Sequence, residues 1–220
     1  MDTIILETRS ELLGKLNDVR QNIDNMITAK LSEVSHWKFA SNEYYAPLPY
    51  MHEIFKLKRG NILKNITENE RLSKSTIYSF GFNQFEQLLI MQFPNVDNDI
   101  KCGTGTHIYT INQNKSIDTC VTQWYPDGNV PTELIAIHVF KPLNDKNWLY
   151  VAVNRNKQDW HSLHYLYNDV NRLERVVAYQ SRVATSWSYD FIYDGEERLE
   201  KIMIGDNVWW KRKRKLTLNK

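Results

Sequence analysis

The sequence predicts a mainly β protein of the α+β class, in which a long N-terminal helix precedes a large, curved antiparallel meander of hairpins. Two observations support this: apolar residues at helical spacing over residues 8–34, and short alternating segments between turn residues over 76–211. The chain has 220 residues, of which 42% are hydrophobic and 25% are charged. This length can bury one sizeable core, so a single domain over residues 1–220 is expected.

The N-terminal helix is predicted from apolar residues that recur every three or four positions: Leu12, Leu16, Val19, Ile23 and Met26. Thr8 with Glu11 three residues later matches a capping box, which places the start of the helix at Thr8. The opposite side of the helix is polar. We therefore expect the helix to cover one face of the sheet.

Eleven strands are predicted from the alternation of apolar and polar residues. They cover residues 76–82, 88–93, 106–111, 117–124, 134–140, 149–154, 162–167, 173–179, 186–193, 199–204 and 208–211. Turns are expected at Pro94-Asn95 and over 103–105, where two glycines flank Thr104. Residues 37–49 are predicted to be an aromatic connector with prolines. Residues 53–63 fit either a strand pair or a short helix.

A short phrase recurs along the sheet region: an aromatic or apolar residue, Asn or Asp, a polar linker, then a basic or polar residue before a Leu or Ile. Its copies are Tyr193-Asp194…Arg198-Leu199, Tyr167-Asn168…Arg172-Leu173, Phe82-Asn83…Gln87-Leu88 and, more weakly, Ile111-Asn112…Ser116-Ile117. Asn and Asp favour chain reversal because their side chains bond the backbone two residues on. The phrase predicts hairpins in which the first residue ends one strand and Leu173, Leu199 and Leu88 are buried on the next.

This phrase resembles the YD repeat of Rhs-type toxin proteins, in which Tyr-Asp, a turn and Gly-Arg-Leu recur along β-hairpins. The copies here depart from the repeat directly before Arg-Leu, where Glu197 and Asn171 stand in place of Gly. Similar phrases occur in small cytoplasmic proteins encoded beside polymorphic toxins, some of them immunity proteins. The resemblance implies a cytoplasmic, non-enzymatic binding protein that occludes a toxin-like partner.

Composition narrows the function classes further. The formal net charge of +2 argues against a general polyanion binder. The sequence has no apolar run of 18 residues and no signal-peptide pattern, so a cytoplasmic protein without a membrane partner is expected. Two cysteines, Cys102 and Cys120, provide no disulfide framework, and the sequence leaves open whether they pair.

Catalytic and cofactor motifs are weak. Residues 103–105 lack the remainder of a phosphate-binding loop, and no serine lies in a nucleophile elbow. Cys102, His107 and Cys120 have no evident fourth zinc ligand. We expect no catalytic residue, no metal and no cofactor.

A first set of candidate binding residues lies at the C-terminal end of the sheet region. It comprises Trp209, Trp210, Lys211, Arg212, Lys213 and Arg214. Indole and guanidinium groups are frequent at interface hot spots, and a basic run would attract an acidic protein partner. The same residues would suit a nucleic acid, with phosphates on the cations and bases on the indoles. Alternatively, the run is a solvated tail after a last strand.

A second set of candidates would line a pocket. His107, Tyr109, Trp124 and His138 lie on adjacent predicted strands. A sheet of eight or more strands can enclose a ligand if it closes or half-closes. These residues are therefore candidates for a small-ligand or enzymatic site inside the sheet.

Overall fold

The computed structural model describes residues 3–67, 70, 76–97, 100–124 and 132–213, with the backbone alone for residues 95–97, 100–102, 123 and 124. The helices are α1 (Thr3–Glu33) and α2 (Met51–Ile54). The strands are β1 (His36–Ala40), β2 (Ile62–Leu63), β3 (Tyr78–Phe82), β4 (Leu88–Asp97), β5 (Ile100–Ile111), β6 (Ile117–Trp124), β7 (Glu133–Asn144), β8 (Asn147–Asn154), β9 (Trp160–Tyr167), β10 (Leu173–Gln180), β11 (Trp187–Tyr193), β12 (Leu199–Ile204) and β13 (Asn207–Lys211).

One antiparallel sheet contains all the described strands. From β3 to β13 each strand pairs with its neighbours in the chain, and β1 and β2 follow β3 at the other edge. The predicted meander is thus confirmed, and each of the eleven predicted strands is present. The predicted connector over 37–49 is partly wrong because β1 lies at its start. Residues 53–63 contain the end of α2 and all of β2, which pairs with β1, so the short helix is correct in part and a strand pair within this segment is wrong.

The predicted turns at Pro94-Asn95 and Gly103–Gly105 are wrong, because both segments lie inside the β4–β5 pair. Pro94 is the partner of Thr104, and Asn95 is the partner of Gly103. Gly105 faces Phe93 across the pair, where an added Cβ would overlap the aromatic ring. This glycine therefore makes room for a neighbouring side chain and does not reverse the chain.

Helix α1 begins at Thr3, so the predicted capping box at Thr8 is wrong. The Thr8 hydroxyl donates to the carbonyl oxygen of Ile4 at 2.7 Å, inside the helix. The predicted apolar stripe is confirmed and extends to Ile5, which is fully buried. In the described part of the chain, neither helix combines the length and apolar character that crossing a membrane requires.

Opposite faces of the sheet are covered by α1 and by residues 41–61, which connect β1 to β2 and which we call the strap. Val151 packs in the cluster that contains Leu16 of α1. Its neighbour Tyr150 packs in the cluster that contains Leu48 and Ile54 of the strap. Successive strand residues point to opposite faces, so the sheet is sandwiched between the helix and the strap.

The sheet is strongly curved, and the strap lies on its concave face. The carbonyl oxygen of Ile54, eight residues before β2, accepts the indole N–H of Trp209 in β13 at 2.8 Å. Strands lie about 4.8 Å apart, so the twelve steps from β2 to β13 would cover roughly 58 Å along a flat sheet. Eight residues reach at most about 29 Å, and one indole side chain cannot span the rest. Only a sheet that bends around the strap brings Trp209 to Ile54, which agrees with the predicted curvature.

The recurrent phrase forms a recurrent turn. In four hairpins the backbone N–H of the Asx residue donates to the carbonyl oxygen four residues later. The N–H of the residue three positions later donates to the carbonyl oxygen of the Asx residue. These turns begin at Asn83, Asn112, Asn168 and Asp194. In all but the Asn112 turn, the Asx Oδ1 also accepts the N–H groups two and four residues on. In these three turns the Asx side chain therefore fixes the reversal, as predicted.

The fourth residue of each turn has a left-handed backbone. It is Glu86, Lys115, Asn171 or Glu197, with φ between 56° and 67°. Glycine adopts positive φ without a steric penalty. The side chains of Glu86, Lys115 and Glu197 are strained in this conformation, whereas Asn171 tolerates it better.

The leucines that follow the turns are buried to different degrees. Leu173 is 2% exposed, which confirms the prediction for this copy. The predicted burial of Leu88 and Leu199 is only partly correct, since both are half-buried. Leu88 borders an open cleft on the concave side, and Leu199 lies in β12, next to the edge strand β13.

Replacing Lys115 by Gly is expected to relieve this strain and raise the free energy of unfolding by about 0.5–1 kcal/mol, since glycine's own entropy cost offsets part of the gain. Lys115→Ala is the matched control: it removes the same exposed side chain and keeps the strain. Urea unfolding of the three proteins measures the effect. Equal stabilities of the Gly and Ala variants would contradict the left-handed assignment.

Candidate functional site

A small cavity of about 60 Å³ lies between the strap and the concave face of the sheet. Its lining is Glu43, Pro47, Leu48 and Met51 from the strap, and His107, Tyr109, Ile117, Thr119, His138, Phe140 and Tyr150 from β5 to β8. The structure thus brings together three of the predicted pocket candidates, His107, Tyr109 and His138. The side chain of the fourth, Trp124, lies outside the described residues.

Sheet register explains why these side chains converge. Tyr109 pairs with Thr119, and Thr119 with His138, so the three lie in one row across β5, β6 and β7. Cα partners in adjacent strands present their side chains on the same face. His107 lies two residues before Tyr109 and therefore on the same face.

Two histidine–tyrosine pairs form the polar part of the cavity wall. His107 Nδ1 lies 3.2 Å from the Tyr109 hydroxyl, and His138 Nδ1 lies 3.0 Å from the Tyr150 hydroxyl. Burial lowers the pKa of His107 to about 4 and holds that of His138 well below its ordinary value, so both rings are neutral at pH 7. Burial also raises the pKa of Tyr109 and Tyr150, which keeps both hydroxyls protonated.

Glu43 supplies a carboxyl group to the same cavity. Its Oε1 atom is buried without a hydrogen-bond partner among the described residues. Burial raises the pKa of Glu43 to about 7, so both protonation states are populated near neutral pH. The carbonyl oxygen of Glu43 accepts the Gly60 N–H at 2.9 Å and faces His52 Nε2 at 3.1 Å, which fixes this part of the strap.

Gly60 is required at this contact by close packing. A Cβ there would lie 2.5 Å from the backbone N and O atoms of Asn42. The returning limb of the strap therefore approaches the outgoing limb more closely than any other residue would allow.

A larger open cleft of about 340 Å³ adjoins the cavity and shares Pro47, Tyr109 and Ile117 with it. Its aromatic walls are Tyr44, Tyr45, Phe82 and Tyr109. Arg59 stacks on Tyr44 with its guanidinium carbon 4.4 Å from the ring centroid. Lys38 Nζ lies 4.6 Å from the Phe82 centroid and 2.5 Å from Glu86 Oε2.

The two indoles of the predicted partner-binding set are placed on the strap side. The Trp209 indole N–H donates to the carbonyl oxygen of Ile54 at 2.8 Å. Its ring contacts Tyr189 at a centroid distance of 5.8 Å, and Lys56 Nζ lies 3.7 Å from its centroid. Trp210 packs against the same concave cluster. The Trp209 indole therefore holds the strap, and Trp210 packs on the same face of the sheet.

The cations after the indoles are not equivalent. Arg212 Nη2 donates to Asp194 Oδ2 at 2.5 Å, and Asp194 also accepts from Arg198. Lys211 and Lys213 are exposed. Arg214, the last residue of the predicted set, lies outside the described residues.

The cysteines and metal ligands make no site in the described part of the chain. Cys120 is buried, and burial raises its pKa to about 12. The question of its pairing with Cys102 lies outside the described residues, because the Cys102 side chain is not among them. No group of three or more His, Cys, Asp and Glu able to hold a metal occurs within the described ranges.

Three residues of the site are absent from the sequence-based candidates: Glu43, Arg59 and Tyr150. Glu43 is the one carboxylate between Trp37 and Tyr50, an isolated acid in an aromatic segment. That isolation is a weak signal, and nothing local shows that the segment folds back across the sheet. In comparisons with known proteins, no family model and no curated protein matches this chain.

Glu43→Gln removes the titrating group and keeps the shape of the side chain. The pKa of Glu43 is raised from 4.5 to about 7 in the fold, so the folded state holds an extra proton between these values and the parent loses stability as pH rises through them. Between pH 4.5 and 7, the free energy of unfolding of the variant should rise relative to that of the parent by up to about 3 kcal/mol. Urea unfolding at a series of pH values measures this difference. The histidines contribute to the pH dependence of both proteins alike, so they cancel in the difference. A difference independent of pH would contradict burial of the carboxyl.

Proposed function

We propose that this is a cytoplasmic, non-enzymatic binding protein of the immunity type, which occludes a toxin-like protein partner. The observation that carries the proposal is a partly uncovered region of the convex face, the face on which α1 lies. The helix packs mainly against β4, β5, β7 and β8. On the C-terminal strands, Ile192 is 37% exposed and Val208 is 54% exposed.

Register places these residues on the same face as α1. Leu149, buried beneath the helix, pairs with His164, which pairs with Val177 of β10. Arg175, two residues before Val177, shares that face and begins a row that crosses β10–β12. We call this surface the convex patch: Arg175, Val177, Asp190, Ile192, Lys201, Met203, Val208 and Lys211.

The composition of the convex patch fits an acidic protein partner. Asp190 pairs with Arg175 at 2.5 Å, which leaves Lys201 and Lys211 as an excess of positive charge. Ile192 and Val208 offer apolar area for burial beside them. Apolar surface among complementary charges is typical of protein–protein interfaces, where the charges steer association.

The recurrent turn adds support to the same proposal. Asn171 and Glu197, which stand where the YD repeat has glycine, both have a left-handed backbone, a conformation that glycine adopts without a steric penalty. Proteins with such phrases include immunity proteins encoded beside toxins.

A nucleic-acid role has less support. Trp209 and Trp210 would have to stack on bases, and both pack towards the strap. Arg212 is held by Asp194, so Lys211 and Lys213 remain as the exposed cations of the run within the described residues. Two exposed lysines give a small footprint for a phosphate backbone.

The proposal predicts that reversing charge in the convex patch slows association with the partner. The partner to test is the product of an adjacent reading frame with a toxin-like C-terminal domain. The double variant Lys201→Glu, Lys211→Glu should lower the association rate at low salt by about tenfold or more, because both cations attract an acidic surface. Surface plasmon resonance measures the rates.

The double variant Lys15→Glu, Lys64→Glu, at exposed sites on α1 and directly after β2, is the control for the same change of charge outside the convex patch. It should leave association within about twofold of the parent. Co-expression of the parent with the toxin-like neighbour should protect the cells. If the parent neither protects the cells nor forms a complex with that neighbour, the proposed function is contradicted.

A further inference from the structure

We propose that the cavity and the adjoining cleft form one binding site for a small hydroxylated aromatic acid. The ring would lie in the cleft, the carboxylate at Arg59 and the hydroxyl group in the cavity. This inference goes beyond partner binding, since the site is on the concave face and the convex patch is on the other.

The inner cavity has a largely apolar wall that includes the polar side chains of Glu43 and of the two histidine–tyrosine pairs. Burying a carboxyl and two imidazoles is unfavourable unless their hydrogen-bonding atoms are paired. Glu43 Oε1 has no partner among the described residues, whereas His107 and His138 each face a tyrosine hydroxyl through Nδ1. A space of about 60 Å³ holds a hydroxyl group or a water molecule but no ring.

The outer cleft is built for a ring. Its volume of about 340 Å³ lies within the usual range for small-molecule pockets. Tyr44, Tyr45 and Phe82 provide aromatic surface, and Ile111 and Ile117 provide aliphatic surface. Aromatic ligands bind such walls by offset or edge-to-face contact.

The charge at the cleft favours an anion. Lys38 is paired with Glu86, whereas Arg59 has no carboxylate partner within the described residues. Its guanidinium is stacked on Tyr44, which orients a planar fork suited to a carboxylate. A cationic ligand fits less well, because Arg59 and Lys38 already lie over the aromatic faces of Tyr44 and Phe82.

The backbone segments that carry the two polar ends of the site are held together. Gly60, adjacent to Arg59, donates its N–H to the carbonyl oxygen of Glu43 at 2.9 Å. This clamp fixes the spacing between the backbone that carries the guanidinium and the backbone that carries the buried carboxyl. Since the cavity and the cleft share three lining residues, a ligand one ring long, with an anion at one end and a hydroxyl at the other, suits this arrangement.

Three probes test the site by isothermal titration calorimetry and by amide shifts in ¹⁵N spectra of the full chain. They are 4-hydroxybenzoate, then benzoate, which lacks the hydroxyl group, and 4-hydroxybenzyl alcohol, which lacks the negative charge. The first should bind tightest, and each of the others about tenfold more weakly or worse. The shifts should concentrate in the strap and in β5–β7. No binding of any probe at millimolar concentration, or shifts confined elsewhere, would overturn the proposal.

Arg59→Gln separates the carboxylate contact from the rest. It should weaken 4-hydroxybenzoate about tenfold and leave 4-hydroxybenzyl alcohol unchanged. Arg182→Gln, at an exposed arginine between β10 and β11, is the matched control and should change neither. Equal effects of the two substitutions would refute the assignment. Because Arg59 is outside the convex patch, Arg59→Gln should still bind the protein partner at the parental rate.

Discussion

The bending of the sheet around the strap is the constraint on which the rest of the structure depends. Helix α1 lies on the convex face of this sheet, so the concave face needs its own cover. The strap provides it, anchored to the outermost hairpin by the Trp209–Ile54 hydrogen bond and to β11 by Tyr50, whose ring lies 5.2 Å from Phe191. These contacts close an apolar core on the concave side. They also bury Glu43 beside the two histidine–tyrosine pairs.

The recurrent turns connect the fold to the site. All the hairpins that begin with the Asx turn reverse at the same end of the sheet, since alternate reversals of a meander fall at one end. Phe82, Leu88, Ile111 and Ile117 flank two of these turns and line the open cleft. The turn that fixes the strands thus also shapes the rim of the cleft, while the convex patch lies on the other face of the sheet.

Local patterns in the sequence account for most of the sheet and for half of the site. Alternation and Asx turns predict the hairpins and place His107, Tyr109 and His138 on neighbouring strands. They miss β1 and β2, whose pairing depends on a return of the chain from a distance. They also misplace Pro94 and Gly105, because proline and glycine are common in turns. Here the two residues lie in the paired strands β4 and β5, and Gly105 faces Phe93. The role of Trp209 depends on the strap, which no local signal reveals.

The central claim is that the strap crosses the concave face of a curved sheet, and nuclear Overhauser effects between side chains test it most directly. With selectively labelled aromatic residues, the account predicts a cross-peak between the rings of Tyr50 and Phe191, whose centroids lie 5.2 Å apart, and another between the Trp209 indole N–H and Ile54. If both were missing while cross-peaks between neighbouring strands persisted, the sheet would not bend around the strap, and the account would be contradicted.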